Sequence, residues 1–204
     1  MHLSTEIQRL FADISQGKKE AFDTLFRKCY ARLVNFAVFY LNETSLAEEV
    51  AADVFMALWQ NRVSLCEVEK PENYLYIATK NRCLNVLRKN SIAKISVDEQ
   101  PYLQNHLSEN ASEDLEHREL HAKLNALVEA LPEQRRLIFK MIKEDEFTAR
   151  QTAEILHLSF RTVESQIYKA VKTLEEEITA YLGYSPRKRK LPKSHLGEFL
   201  AMLL

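Results

Sequence analysis

Apolar residues recur at steps of three and four along most of the chain, the spacing of helices with one buried face. Ile7, Leu10, Phe11 and Ile14 form the first series, opened by the capping-box pattern Thr5-Glu6-Ile7-Gln8 and closed by Gly17. Phe22, Leu25, Phe26, Cys29, Leu33, Phe36, Ala37 and Tyr40 predict a longer helix from about Lys19 to Tyr40. Ser45-Leu46-Ala47-Glu48 predicts the next start, with Val50, Ala51, Val54, Phe55 and Leu58 inward. That arrangement leaves Glu48, Glu49, Asp53 and Gln60 for water or a partner. After a polar connection through Cys66 to Lys70, Pro71 suits a fourth start, and the pattern runs from Glu72 to about Asn90.

From Ser91 to about Glu113 the period fades into an acidic, polar stretch. Helical spacing returns with Leu120, Leu124, Leu127 and Leu131, and Leu131-Pro132-Glu133 forces a break and a restart carrying Leu137, Ile138, Met141 and Ile142. Thr148-Ala149-Arg150-Gln151 begins a short helix ending near Leu156. Ser159 caps a longer one with Val163, Ile167, Ala170, Val171, Leu174 and Ile178 inward. The expected fold is all-α: two small helical domains joined by a flexible acidic linker. Its boundaries are 1–90, a linker at 91–114, 115–182, and a basic, amphipathic tail at 183–204.

Composition agrees, since 3 Gly and 5 Pro in 204 residues leave few strand-and-turn signals. Nowhere do about 18 apolar residues run uninterrupted, so no membrane insertion is expected, and the N-terminus lacks a signal-peptide core. A cytoplasmic protein is the expectation. Cys29, Cys66 and Cys83 are an odd, widely spaced set, with Cys29 and Cys83 on apolar faces, which suggests reduced core thiols. Net charge is -1, so nucleic-acid binding would need local patches. Such patches exist. Residues 91–118 set Lys94 and Arg118 against Asp98, Glu99, Glu109, Glu113, Asp114 and Glu116; residues 185–204 set Arg187, Lys188, Arg189, Lys190 and Lys193 against Glu198.

The segment TARQTAEILHLSFRTVESQIYKAVKTL has the layout of a helix-turn-helix, with His157-Leu158-Ser159 as its turn. On its second helix Arg161, Ser165, Tyr168, Lys169 and Lys172 fall opposite the apolar series, a stripe that fits a major groove. Arg161 sits in the first turn, where bases are read. Lys169 and Lys172 suit phosphates, Glu164 can accept from a cytosine amino group, and Thr162 completes the candidate set. A charged stripe taken alone is more often a solvated face; the turn and preceding helix shift that balance.

Here a resemblance enters. Leu131-Pro132-Glu133 followed by the helix-turn-helix resembles region four of extracytoplasmic-function sigma factors, which implies reading of the minus-thirty-five promoter element. The family usually has Gly where this chain has His157, a position that often needs positive φ, which His tolerates better than β-branched residues. The run Ala47 to Trp59 is similar to the family's region-two helix that docks on the polymerase clamp. This implies Glu48, Glu49, Asp53 and Gln60 as polymerase contacts, with Ala52 standing where glutamine is common. Tyr74 to Lys89 resembles the helix that contacts the minus-ten element, which implies Lys80, Asn81, Arg82, Asn85, Arg88 and Lys89 as DNA contacts; Asn61 to Asn73 resembles the base-capturing loop. Cationic residues along phosphates, amides for base edges and a pocket for an unstacked base are what strand opening needs. By resemblance the partners are core RNA polymerase, promoter DNA and an anti-sigma factor, with no cofactor.

Two other readings compete. His117 and His121, one turn apart, could share a metal, yet no third ligand, phosphate loop or nucleophile motif accompanies them, so neither a metal site nor an enzyme is expected. A stand-alone helix-turn-helix regulator with a ligand-sensing or dimerising first domain is the alternative. The near-neutral charge favours a sigma factor, because two weakly binding domains need polymerase to hold both on DNA. The terminal Leu196, Phe199, Leu200, Leu203 and Leu204 suggest a short amphipathic helix.

Overall fold

A computed structural model describes the backbone of residues 3–93 and 115–181, and the chain divides into two compact units, Met1–Asn105 and His106–Leu204. Most of the expected linker and the C-terminal tail lie outside the described residues, as do the side chains of His117 and His121. All regular elements among the described residues are helical.

The first unit is built from α1 (Leu3–Ser15), α2 (Lys19–Leu41), α3 (Thr44–Gln60), a short 3-10 helix (Arg62–Glu67) and α4 (Pro71–Ala93). Gly17 takes φ +83, a left-handed conformation open to glycine at little cost, and its N–H closes on the Ile14 carbonyl at 2.8 Å. The chain thereby reverses between α1 and α2. Ile7, Phe11 and Ile14 are fully buried, as are Leu25, Leu33 and Ala37 of α2. Asn42, at φ 54, closes α2 with an N–H bond to the Val38 carbonyl at 2.8 Å.

Two expected starts are displaced. α1 already begins at Leu3, so Thr5 lies within the helix. α3 begins at Thr44 behind an extended Glu43 that makes no side-chain cap; Ser45 Oγ donates to Glu43 Oε1 at 2.9 Å instead of to the helix end. The 3-10 helix occupies what reads in the sequence as an irregular connection, and buried Leu65 anchors it. Phe22, Phe26, Tyr30, Phe55 and Trp59 join α2 to α3 through ring contacts of 4.6–6.3 Å. Aromatic pairs at such distances add about 0.5–1.5 kcal/mol each beyond area burial.

Cys29 and Cys83 are buried free thiols and Cys66 is exposed. Burial pushes the Cys83 thiol up to about 12, which keeps it protonated and inert. Tyr40, raised to about 12 by burial and by Cys83, is likewise neutral.

The second unit comprises α5 (Leu115–Glu129), α6 (Glu133–Lys143), α7 (Ala149–Leu156) and α8 (Phe160–Tyr181). Pro132, at ψ 139, breaks the chain between α5 and α6, as a residue lacking an N–H should. Leu124, Val128, Leu131, Phe139, Ala170, Leu174 and Ile178 form one core cluster. Ile138, Ala153 and Val163 form a second, packed by Leu156, Leu158 and Ile167, which sets the angle between α7 and α8.

Candidate nucleic-acid interface and partner face

The helix-turn-helix is assembled from local hydrogen bonds. Thr148 Oγ1 accepts from the Gln151 N–H at 3.2 Å and Gln151 Oε1 accepts from the Thr148 N–H at 2.9 Å, a complete capping box. His157 takes φ 57, ψ 42, and the Leu158 N–H returns to the Ala153 carbonyl at 2.9 Å, ending α7 with a left-handed residue where glycine is otherwise usual. Ser159 Oγ then accepts from the Thr162 N–H at 3.0 Å and opens α8.

These constraints aim α8. Arg161, Glu164, Ser165, Tyr168, Lys169 and Lys172 are all exposed on one stripe, Tyr168 at 70%, while Val163, Ala170, Leu174 and Ile178 are buried. Thr162 is half-buried and its hydroxyl lies 2.7 Å from Ser159 Oγ, so it serves the cap. Lys172 pairs with Glu176 at 3.8 Å. Sequence reading missed three neighbours. Phe160, the first residue of α8, is exposed, and the Arg150 guanidinium lies 5.7 Å from its ring centroid. Arg135 Nε donates to Gln166 Oε1 at 3.3 Å, tying α6 to α8.

On α4, Asn81, Asn85, Arg88 and Lys89 are exposed, and Arg88 Nη2 donates to Asn85 Oδ1 at 3.3 Å. Tyr74, half exposed and edge-on to Phe11 at 6.1 Å, lies seven residues before Asn81 on the same face. Tyr76 packs inside against Phe36 at 4.8 Å. Packing sets the surroundings of two further expected contacts. Lys80 is only 4% exposed, and burial pushes its pKa down, so it is a core residue and not part of the accessible stripe. Arg82 Nη1 donates to Asp53 Oδ2 at 2.6 Å, an ion pair joining α4 to α3. Asn73, at the end of the expected base-capturing loop, is buried.

Glu48, Glu49 and Gln60 stand exposed on α3, with Asp53 exposed but engaged by Arg82. Beside them runs an open groove of about 440 Å³ between α2 and α3, walled by Phe22, Phe26, Phe55 and Trp59, with Ala52, Met56, Lys19 and Asp23 completing its lining. Met56 is 60% exposed. The small side chain of Ala52 is part of that lining; the exposed methionine was the sequence signal that could have marked this face, since it falls outside the inward series. Among the described residues no His, Cys, Asp and Glu cluster could hold a metal ion, and no helix is long and apolar enough to cross a membrane.

Comparison with known proteins covers both units. Residues 25–92 match the family model for sigma-70 region 2, and residues 121–174 that for sigma-70 region 4. The fold is similar to that of the sigma factor RpoE in complex with the anti-sigma factor NepR from Bartonella quintana, at 19% identity and a TM-score of 0.56 over 78% of this chain and 96% of that one. It is also similar to CnrH in complex with the cytosolic domain of CnrY, at 18% identity and a TM-score of 0.52 over 86% and 98% of the two chains. No curated protein matches the chain.

Proposed function

Because the chain belongs to the sigma-70 family, as a two-domain factor of the extracytoplasmic-function type that binds core RNA polymerase and promoter DNA to initiate transcription, we propose how its surfaces divide that work. The observation that carries the division is the presence of regions 2 and 4, in that order, on helices that each leave one polar face to solvent. The first unit docks on polymerase through α3. Its largely aromatic groove, with exposed Met56, supplies apolar area, and Glu48, Glu49 and Gln60 supply orientation toward a basic surface.

The α4 stripe then takes the minus-ten element. Asn81 and Asn85 offer donors and acceptors to base edges, Arg88 and Lys89 hold phosphates, and Tyr74 provides a ring on which an unpaired base can stack. Stacking is worth about 1–3 kcal/mol per base, comparable with the cost of unpairing one, so capture shifts the balance toward open DNA. The α8 stripe reads the upstream element from the major groove, with Arg161 on bases and Lys169 and Lys172 on phosphates. Opening requires no covalent chemistry, and the chain acts by binding, in the cytoplasm where the polymerase works. An anti-sigma protein, such as accompanies the RpoE neighbour, would silence it by covering these faces.

The test is transcription from genomic fragments with purified core polymerase. Added chain should produce a discrete set of start sites sharing two upstream elements, and Glu49→Ala should weaken competition against another sigma factor. Sequence-specific DNA binding by the chain alone, with no start sites and no binding to core, would refute the division in favour of a stand-alone regulator.

A further inference from the structure

We propose that Phe160, held by Arg150, is a specificity-determining residue that reads the 5-methyl group of a thymine in the upstream element, an inference that rests on the sigma reading of the second unit. Exposure of a lone phenylalanine carries nothing by itself. Its placement does. Phe160 is the first residue of α8, directly after the Ser159 cap, at the end of a recognition helix that approaches base edges. The Arg150 guanidinium, 5.7 Å from the ring centroid, covers the ring from the first turn of α7.

That contact does two things. It fixes the ring's orientation before DNA arrives, so little side-chain entropy remains to be lost on binding. It also places a cation from α7 beside α8, where the first helix of the motif crosses the phosphate backbone. Phe160 has no donor or acceptor, so it cannot read the hydrogen-bonding pattern of any base pair. The apolar group that base edges present in the major groove is the thymine methyl. Arg161, next in sequence and exposed, is left to read a neighbouring base by hydrogen bonds. Phe160 is therefore the reader and Arg150 a positioning residue that also contacts phosphate.

The experiment uses the full chain bound to core polymerase and a promoter duplex randomised across the upstream element. The parent should enrich thymine at one position, and deoxyuridine there should weaken binding about fourfold, the worth of one buried methyl. Phe160→Ala should lose preference at that position alone, and Phe160→Leu should retain it. Arg150→Gln should blunt the thymine preference and lower the salt slope by about one. Circular dichroism checks that each variant is folded. The proposal is overturned if Phe160→Ala keeps the parental preference at every position, if it weakens all sequences alike, or if deoxyuridine binds as well as thymidine. Should the complex enrich no sequence while the chain still binds core, recognition by the second unit fails and the proposal falls with it; absence of binding to core rejects the sigma reading itself.

Discussion

The two helices proposed to meet DNA, α4 and α8, reach their exposed stripes by different routes. On α8 the stripe is set by its own neighbourhood: Thr148 and Gln151 lock the start of α7, His157 turns the chain, and Ser159 caps the next helix within a few residues. On α4 the stripe is what remains after α2 and α3 have packed, so Lys80 is withdrawn into the core and Arg82 is drawn to Asp53. A local device can be replaced at a local cost. A stripe left by packing depends on the whole unit.

The largest test of that contrast is a core truncation in each unit. Phe55→Ala should destabilise the first unit by about 3–5 kcal/mol, and Ile138→Ala the second by about 2–5 kcal/mol. Trp59, the sole tryptophan of the sequence, lies in the first unit and reports it selectively. Its fluorescence transition in denaturant should move for Phe55→Ala and stay in place for Ile138→Ala. Movement in both would mean that the units unfold as one.

A smaller effect separates the two kinds of helix start. Thr148→Ala removes a complete capping box and should cost about 1 kcal/mol, whereas Ser45→Ala, at a residue that caps nothing, should cost less than about 0.5 kcal/mol. Thermal unfolding of the pair decides it, and equal losses would show that α3 is capped after all.

His157 provides a related test. At φ 57, His157→Val should destabilise by about 1–2 kcal/mol, while His157→Gly should be tolerated.

Smallest of all is the Asp53–Arg82 pair. Both side chains are 40% or more exposed, so Asp53→Ala should change stability by less than about 1 kcal/mol. Asp53→Ala should nevertheless weaken polymerase competition, which an ion pair of purely structural value would not.

These contrasts also explain what was legible in the sequence. The break at Pro132, the box at Thr148, the left-handed His157 and the cap at Ser159 depend on residues within one or two turns, and the pattern carried them. The all-α architecture was legible for the same reason, because each helix records its buried face in its own spacing. Lys80 was misplaced because a helical period tells which residues share a face but not how wide the neighbouring helices cover it. The partner of Arg82 was not legible for a related reason: Asp53 lies 29 residues away, and only the packing of α3 on α4 brings them to 2.6 Å. Ser45 and Thr5 matched a capping pattern whose geometry the chain does not adopt. The groove beside Met56 needs two helices to exist at all, so no single stretch announced it.

In the function proposed above, the α4 stripe opens promoter DNA once polymerase has placed it there. The direct measurement is permanganate reactivity of unpaired thymines in the complex of the full chain, core polymerase and a linear promoter. Replacing Asn81, Asn85 and Arg88 together by Ala should leave polymerase binding and upstream recognition in place and abolish most of the reactivity. Lys80→Met, a change inside the core, should leave the reactivity of the folded protein as it was. A duplex already mismatched at the minus-ten element should rescue the triple variant, because unpairing then costs nothing. Reactivity of the triple variant equal to the parent on fully paired linear DNA would contradict the claim.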